Sequence, residues 1–212
     1  GKELLMLVNN NGASCAYVAA QKGQTEVLKM LVEVGGKELL MLRANNGTSC
    51  AHIAFQNGRT EALKVLINAG GKELLMLTTT DGVSCAYAAS RSGEAAALKM
   101  LIEAGGKELL MLTDNIGVSC AYAASRSGEA EALKMLIEAG GKELLMLRDN
   151  DCASCAYTAS QNGQAEALRV LIEAGGKELL MLTVNNNGAS CAYVAAQKGQ
   201  TEVLKMLVEV GG

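Results

Sequence analysis

The sequence predicts an all-α solenoid of six helix-turn-helix units, and three observations carry that prediction. The heptad "GKELLML" stands at Gly1 and returns unchanged at Gly36, Gly71, Gly106, Gly141 and Gly176. A fixed period of this length marks an array whose units cannot bury their apolar faces alone. Each unit holds two segments with helical apolar spacing, both closed by glycine. Half of the 212 residues are apolar, yet only 3% are aromatic and none is Trp or Pro, so the core is expected to be built from Leu, Ala, Val, Ile and Met. One elongated domain over 1–212 follows, with units 1–35, 36–70, 71–105, 106–140, 141–175 and 176–212.

The fourth unit shows the local signals. Ser119 is a good N-cap for a first helix through "CAYAASRS", and Gly128 suits a left-handed stop. From Glu129 to Ala139, Ala132, Leu133, Leu136 and Ile137 recur at helical spacing before Gly140. The second helix is therefore expected antiparallel to the first. Between helix pairs, Gly140-Gly141 reads as a turn, as does Thr113-Asp114-Asn115 before Gly117. "KELLML" fits either a short helical turn or an extended finger, and its leucine and glutamate content favours the helical turn.

Composition excludes several activities. The net charge is −3, with Lys and Glu interleaved, so no basic stripe stands ready for nucleic acid. The longest apolar runs, such as Leu4 to Val8, fall far short of the ~20 residues of a membrane span. No secretory leader is expected, because the chain starts without Met inside a repeat. Six of the seven cysteines (Cys15, Cys50, Cys85, Cys120, Cys155 and Cys191) hold one equivalent position. Packed helical layers lie ~8–10 Å apart, beyond the ~7 Å Cα separation of a disulfide, so free buried thiols in a reducing compartment, the cytoplasm, are expected. A single His52 leaves zinc and nucleophilic catalysis without candidates. Neither enzyme activity nor a cofactor is expected. Glu61 with Lys64, Glu131 with Lys134 and Glu166 with Arg169 read as i,i+3 pairs on a solvated face.

The second unit aligns Gly47, Ser49, Cys50, Ala51, His52, Ala54, Gly58, Glu61, Leu63, Leu66 and Gly70 in order, and all six units carry this frame. In this the chain resembles the ankyrin repeat family, whose pattern runs Gly-x-Thr-Pro-Leu-His-x-Ala-Ala-x-x-Gly and then a Leu-rich helix. The resemblance implies a scaffold that binds proteins. It also implies that the Tyr17, His52, Tyr87, Tyr122, Tyr157 and Tyr193 position hydrogen-bonds the neighbouring turn. Cys replaces the family's Pro throughout, Tyr replaces His in five units, and the period of 35 exceeds the family's ~33. The two extra residues fall in the finger, which puts a β-hairpin there in question. Tetratricopeptide arrays share nearly the same period, but their Trp and Pro landmarks are missing. A leucine-rich repeat lacks its Leu-x-Leu strand.

The units differ most at the finger tips (Arg43, Asn45, Asn46, Thr79, Asp81, Asp114, Arg148, Asp149, Asp151) and late in the first helix (Phe55, Gln56, Arg91, Arg126, Gln161). By resemblance these positions line a concave groove that recognises a protein partner. A structural scaffold without an evolved partner, engineered or duplicated, is the competing expectation. Val8 to Val34 are identical to Val184 to Val210, and the second copy follows one extra residue, so Thr183-Val184 looks like a seam. The apolar end units, and Gly212 in the register of Gly1, lead to an expectation of head-to-tail self-association.

Overall fold

The computed structural model describes residues 1–183 and 188–211. Val184 of the seam and Gly212 therefore lie outside the described residues. Within them the chain is a stack of six antiparallel helix pairs. The first helices are Cys15–Lys22, Cys50–Gln56, Cys85–Ser92, Cys120–Ser127, Cys155–Gln161 and Cys191–Lys198. Each begins at a serine in extended conformation whose Oγ accepts the N–H three residues on, as Ser119 does from Tyr122 at 3.2 Å. Where Gly follows the last turn directly, as at Gly128 (φ 82°), it closes the helix in the left-handed region, as the sequence predicts.

The second helices carry the apolar stripe. Ala132, Leu133 and Leu136 are buried in the fourth unit, and the corresponding residues of the other units join one continuous core. The double glycine that ends the first five of them has a divided task. A Cβ on Gly140 would sit 2.7 Å from Leu144 Cδ2, so the first glycine is needed for close packing. Gly141 has φ 72° and ψ −173°, a conformation open only to glycine, and it redirects the chain. The next residues, Lys142–Leu145, form a four-residue helix, the turn that leucine and glutamate favour over an extended finger. In four units the short helix continues from the second with only the glycine kink between, as in Thr25–Leu40 around Gly36.

The finger that follows keeps a vestige of a hairpin. Single antiparallel bridges join Val8 to Ser14, Arg43 to Ser49, Thr113 to Ser119 and Arg148 to Ser154. The two extra residues per unit thus lengthen the helical approach to the finger, while the finger's base stays paired. An exposed ladder of ion pairs follows the stack: Lys2–Glu38, Lys37–Glu73, Lys72–Glu108, Lys107–Glu143 and Lys142–Glu178, at 2.5–2.8 Å. Of the three expected i,i+3 pairs, Glu61–Lys64 (2.7 Å) and Glu166–Arg169 (3.5 Å) close, and Glu131–Lys134 does not. No helix among the described residues is long and apolar enough to cross a membrane.

Candidate functional site

The first helices lie side by side, and the fingers continue their row. In four units the cysteine that opens the first helix has a task the sequence did not disclose. The thiols of Cys15, Cys50, Cys120 and Cys155 donate to the carbonyls of Leu5, Leu40, Leu110 and Leu145 at 3.2–3.4 Å. Those carbonyls end the short "KELL" helices, where the last turn has no intrahelical partner. Proline at this position could not donate. The exchange of Pro for Cys and the helical insert therefore belong together, and their joint presence in every unit was the available signal. Burial pushes the Cys50, Cys120 and Cys155 thiols up to about 12, and all seven cysteines are unpaired.

His52 bridges units. Its Nδ1 lies 2.8 Å from Ser49 Oγ and its Nε2 3.0 Å from the Val83 carbonyl of the next finger. Burial, opposed by the Val83 bond and aided by repulsion from Arg43, lowers its pKa to about 4. The tyrosines at this position depart from that expectation. Tyr122 packs with Val118, Ala153, Tyr87 and Tyr157. A phenol oxygen extends past the point where an imidazole nitrogen stops. Burial first, then the Asp149 charge, raises Tyr122 to about 12.

Many of the variable finger residues support their own loops. Asp114 Oδ1 accepts the N–H groups of Ile116 (3.0 Å) and Val118 (2.8 Å), and Asp149 Oδ1 those of Asp151 (3.0 Å) and Ala153 (2.7 Å). Thr79 Oγ1 and Asn46 Oδ1 accept from Val83 and Thr48 in the same way. Successive tips are joined by backbone bonds at 2.9 Å from Asn45 to Asn11, Thr80 to Asn46, Asn115 to Asp81 and Asn150 to Ile116. Asn45 Nδ2 also donates to the Asn10 carbonyl at 3.0 Å. Arg43 donates to the Thr78 carbonyl (3.2 Å), and Arg148 to the Cys152 carbonyl (2.7 Å) and to that of Thr183. Phe55 is 6% exposed and belongs to the core, so its ring is not offered to a partner as its variability had implied.

Gln56, Arg91 and Arg126 are exposed, and Gln161 is half-buried. They occupy one position along the row, which reads Gln21, Gln56, Arg91, Arg126, Gln161, Gln197. Three residues before it stand Val18, Ile53, Ala88, Ala123, Thr158 and Val194. The two central units thus exchange a larger side chain for Ala where they exchange Gln for Arg. There the structure opens a hollow of about 290 Å³ lined by Tyr87, Arg91, Ala123, Arg126, Ser127 and Asn162. None of the six first helices carries an Asp or Glu. No group of three or more metal-ligating side chains converges among the described residues.

A family model described as "Ankyrin repeats (3 copies)" matches residues 2–76 and 121–212. The chain belongs to the ankyrin-repeat family. Solved ankyrin structures share its fold. The ankyrin repeat domain of Bcl-3, titled a unique member of the IkappaB protein family, superposes with a TM-score of 0.82 at 18% identity over 96% of this chain and 88% of that one. The ankyrin repeat protein EF0377 gives 0.80 at 21% identity, covering 95% and 99%. An ankyrin repeat domain (ABAYE2397) from Acinetobacter baumannii AYE gives 0.79 at 21%, covering 92% and 97%. No curated protein matches the sequence. At these identities the structural likeness concerns the fold; ankyrin repeats as a family generally mediate protein–protein interaction.

Proposed function

We propose that this ankyrin array is a non-enzymatic scaffold that binds a partner protein along the row of first helices and finger tips, without a cofactor. The observation that carries this reading is the pairing of exchanges at the centre of the row. Ala for a larger residue and Arg for Gln occur together in units three and four, and they leave a hollow flanked by two guanidinium groups. Units three and four are identical over 82–95 and 117–130, so the two exchanges were copied together, and the support they give is the hollow that they leave. The exposed tips at Asp81 and Asp151 form the other edge of the same face. Seven unpaired thiols suit a reducing compartment such as the cytoplasm.

The test is a peptide library selected on the immobilised chain, followed by amide-exchange footprinting of the winners. Protection over 85–92 and 120–127 and the adjoining fingers supports the proposal. Protection confined to the second helices contradicts it.

The end faces favour a second reading, in which the array is structural and stacks head to tail. Leu4 is 72% exposed whereas its equivalents Leu39, Leu74 and Leu109 are fully covered by neighbouring units, and Val208 is 67% exposed at the other end. The ion-pair ladder stops at Glu3 and Lys177, which a second copy in register would bring together; Lys177 instead donates to the Gly211 carbonyl at 3.2 Å. Such a contact joins unlike surfaces and gives open filaments. Sedimentation of the wild type against a Leu204→Glu/Val208→Lys variant decides it: assembly lost in the variant supports stacking, and a monomer at millimolar wild-type concentration refutes it.

A further inference from the structure

The charge on the first helices is one-sided. The first helices carry four charged residues, Lys22, Arg91, Arg126 and Lys198, and all four are positive in a chain of net charge −3. The acids of the molecule lie on the second helices, the short helices and the fingers, and, as Glu94 and Glu129, in the turns three residues after Arg91 and Arg126. Arg91 and Arg126 belong to adjacent units at equivalent positions, and neither takes part in any of the eight ion pairs among the described residues. Their guanidinium groups flank the central hollow beside Tyr87 and face solvent. Five donors in a planar fork make each of them suited to a carboxylate.

We infer that this hollow is the recognition site for an extended acidic segment of the partner protein, one carboxylate to each of Arg91 and Arg126. The inference rests on the protein-binding reading above and names the chemistry of the partner. Helices in contact lie ~8–10 Å apart, and a chain in the extended polyproline II conformation advances ~3.1 Å per residue with ~3 residues per turn, so every third side chain lies on one face. A peptide crossing the row therefore meets the two arginines with side chains three residues apart, which points to a Glu-x-x-Glu spacing. The small Ala123, which lines the hollow, lets the peptide backbone approach between Tyr87 and the arginines. The finger side favours a peptide over a nucleic acid. Asp81 and Asp151 are exposed there, and Asp114 and Asp149 are half-buried and bonded to their own loops. A uniformly charged phosphate backbone would be repelled at that edge, whereas a peptide can confine its negative charge to the helix side.

The experiment is a fluorescence-polarisation titration of a labelled peptide of Glu-Ser-Ser repeats, with a Gln-Ser-Ser peptide and a single-stranded RNA oligonucleotide of equal charge beside it. The protein is the full chain, as wild type and as Arg91→Gln/Arg126→Gln. Glutamine already stands at this position in four sister units, so the variant keeps the fold, and its melting curve verifies that. The expected result is saturable binding of the Glu peptide, weakened about tenfold or more both by the double substitution and by the Gln peptide. Three results overturn the inference: no binding of the Glu peptide at millimolar concentration, equal binding by the variant, or RNA that binds as tightly and is weakened equally. If library-selected peptides still footprint on the first helices while the variant binds them unchanged, the acidic chemistry fails and the binding face stands. If their footprint lies on the second helices, the binding face itself fails.

Discussion

Cys152 has a φ of 64° and alone among the non-glycine residues described lies in the left-handed region. Its equivalents Gly12, Gly47, Gly82, Gly117 and Gly188 have φ from 61° to 82°, so the turn imposes this conformation on every unit. A side chain there costs ~1–2 kcal/mol, and glycine gives back ~0.5–1 kcal/mol through its greater freedom when unfolded. Cys152→Gly should therefore stabilise the array by about 1 kcal/mol. For a chain of this size that corresponds to a rise in Tm of ~2–4 °C. The turn should survive, because it is held by bonds from Cys152 N–H to the Asp149 carbonyl (2.9 Å) and from Arg148 Nε to the Cys152 carbonyl (2.7 Å), both of which use backbone groups of residue 152. The assay is thermal and urea unfolding under reducing conditions, with Cys152→Ala as the control that removes the thiol and keeps the Cβ. Equal stability of the Gly and Ala variants would refute the backbone argument. The converse change, Gly117→Ala, should cost more than 1 kcal/mol, since its Cβ would also meet Asn150 Oδ1 at 2.9 Å and Asn150 N at 3.0 Å.

Thiol reagent under native conditions should label Cys152 first and half-buried Cys15 next, with the other five released only by denaturant; early labelling of Cys85 or Cys120 would show that the first helices are not packed as described. Because Cys50, Cys120 and Cys155 have pKa values raised from 9.0 to about 12, the folded state holds their protons where the unfolded state has lost them; stability should be level below pH 9 and fall between 9 and 12. His52 works in the opposite direction: its pKa is lowered from 6.5 to about 4, so the unfolded state binds the extra proton and stability should fall as pH drops from 6.5 towards 4. Urea titrations of the wild type and His52→Gln should show that part of the acid sensitivity missing from the variant; identical pH slopes would contradict the burial of a neutral ring.

The fold was legible where local chemistry decides it. Serine before an apolar segment and glycine after it act within one turn, so Ser119 and Gly128 could be read without knowledge of the neighbours. The division of labour in Gly140-Gly141 could not, because the first glycine answers to a contact with Leu144 and only the second to backbone conformation. Variability did not separate exposed from supporting side chains, for a similar reason. Phe55 varies because its unit repacks the core around it, and Arg43, Asp114 and Asp149 vary among side chains that can each brace a finger. The feature behind the proposed hollow, Ala88 with Arg91 and Ala123 with Arg126 three residues apart on one helix, is visible in the sequence once the helix is placed.

The most direct test of the binding face fills the hollow without touching its charge. Ala123→Ile introduces the residue type that Ile53 already provides at the equivalent position of unit two, and Lys134→Ala on the exposed side of a second helix serves as the control. With melting temperatures verified for both, affinity for library-selected partners should fall about tenfold or more in Ala123→Ile, since the backbone approach is blocked, and stay within twofold in Lys134→Ala. Undiminished binding by Ala123→Ile, or loss of binding in Lys134→Ala, would place recognition elsewhere on the array and contradict the account.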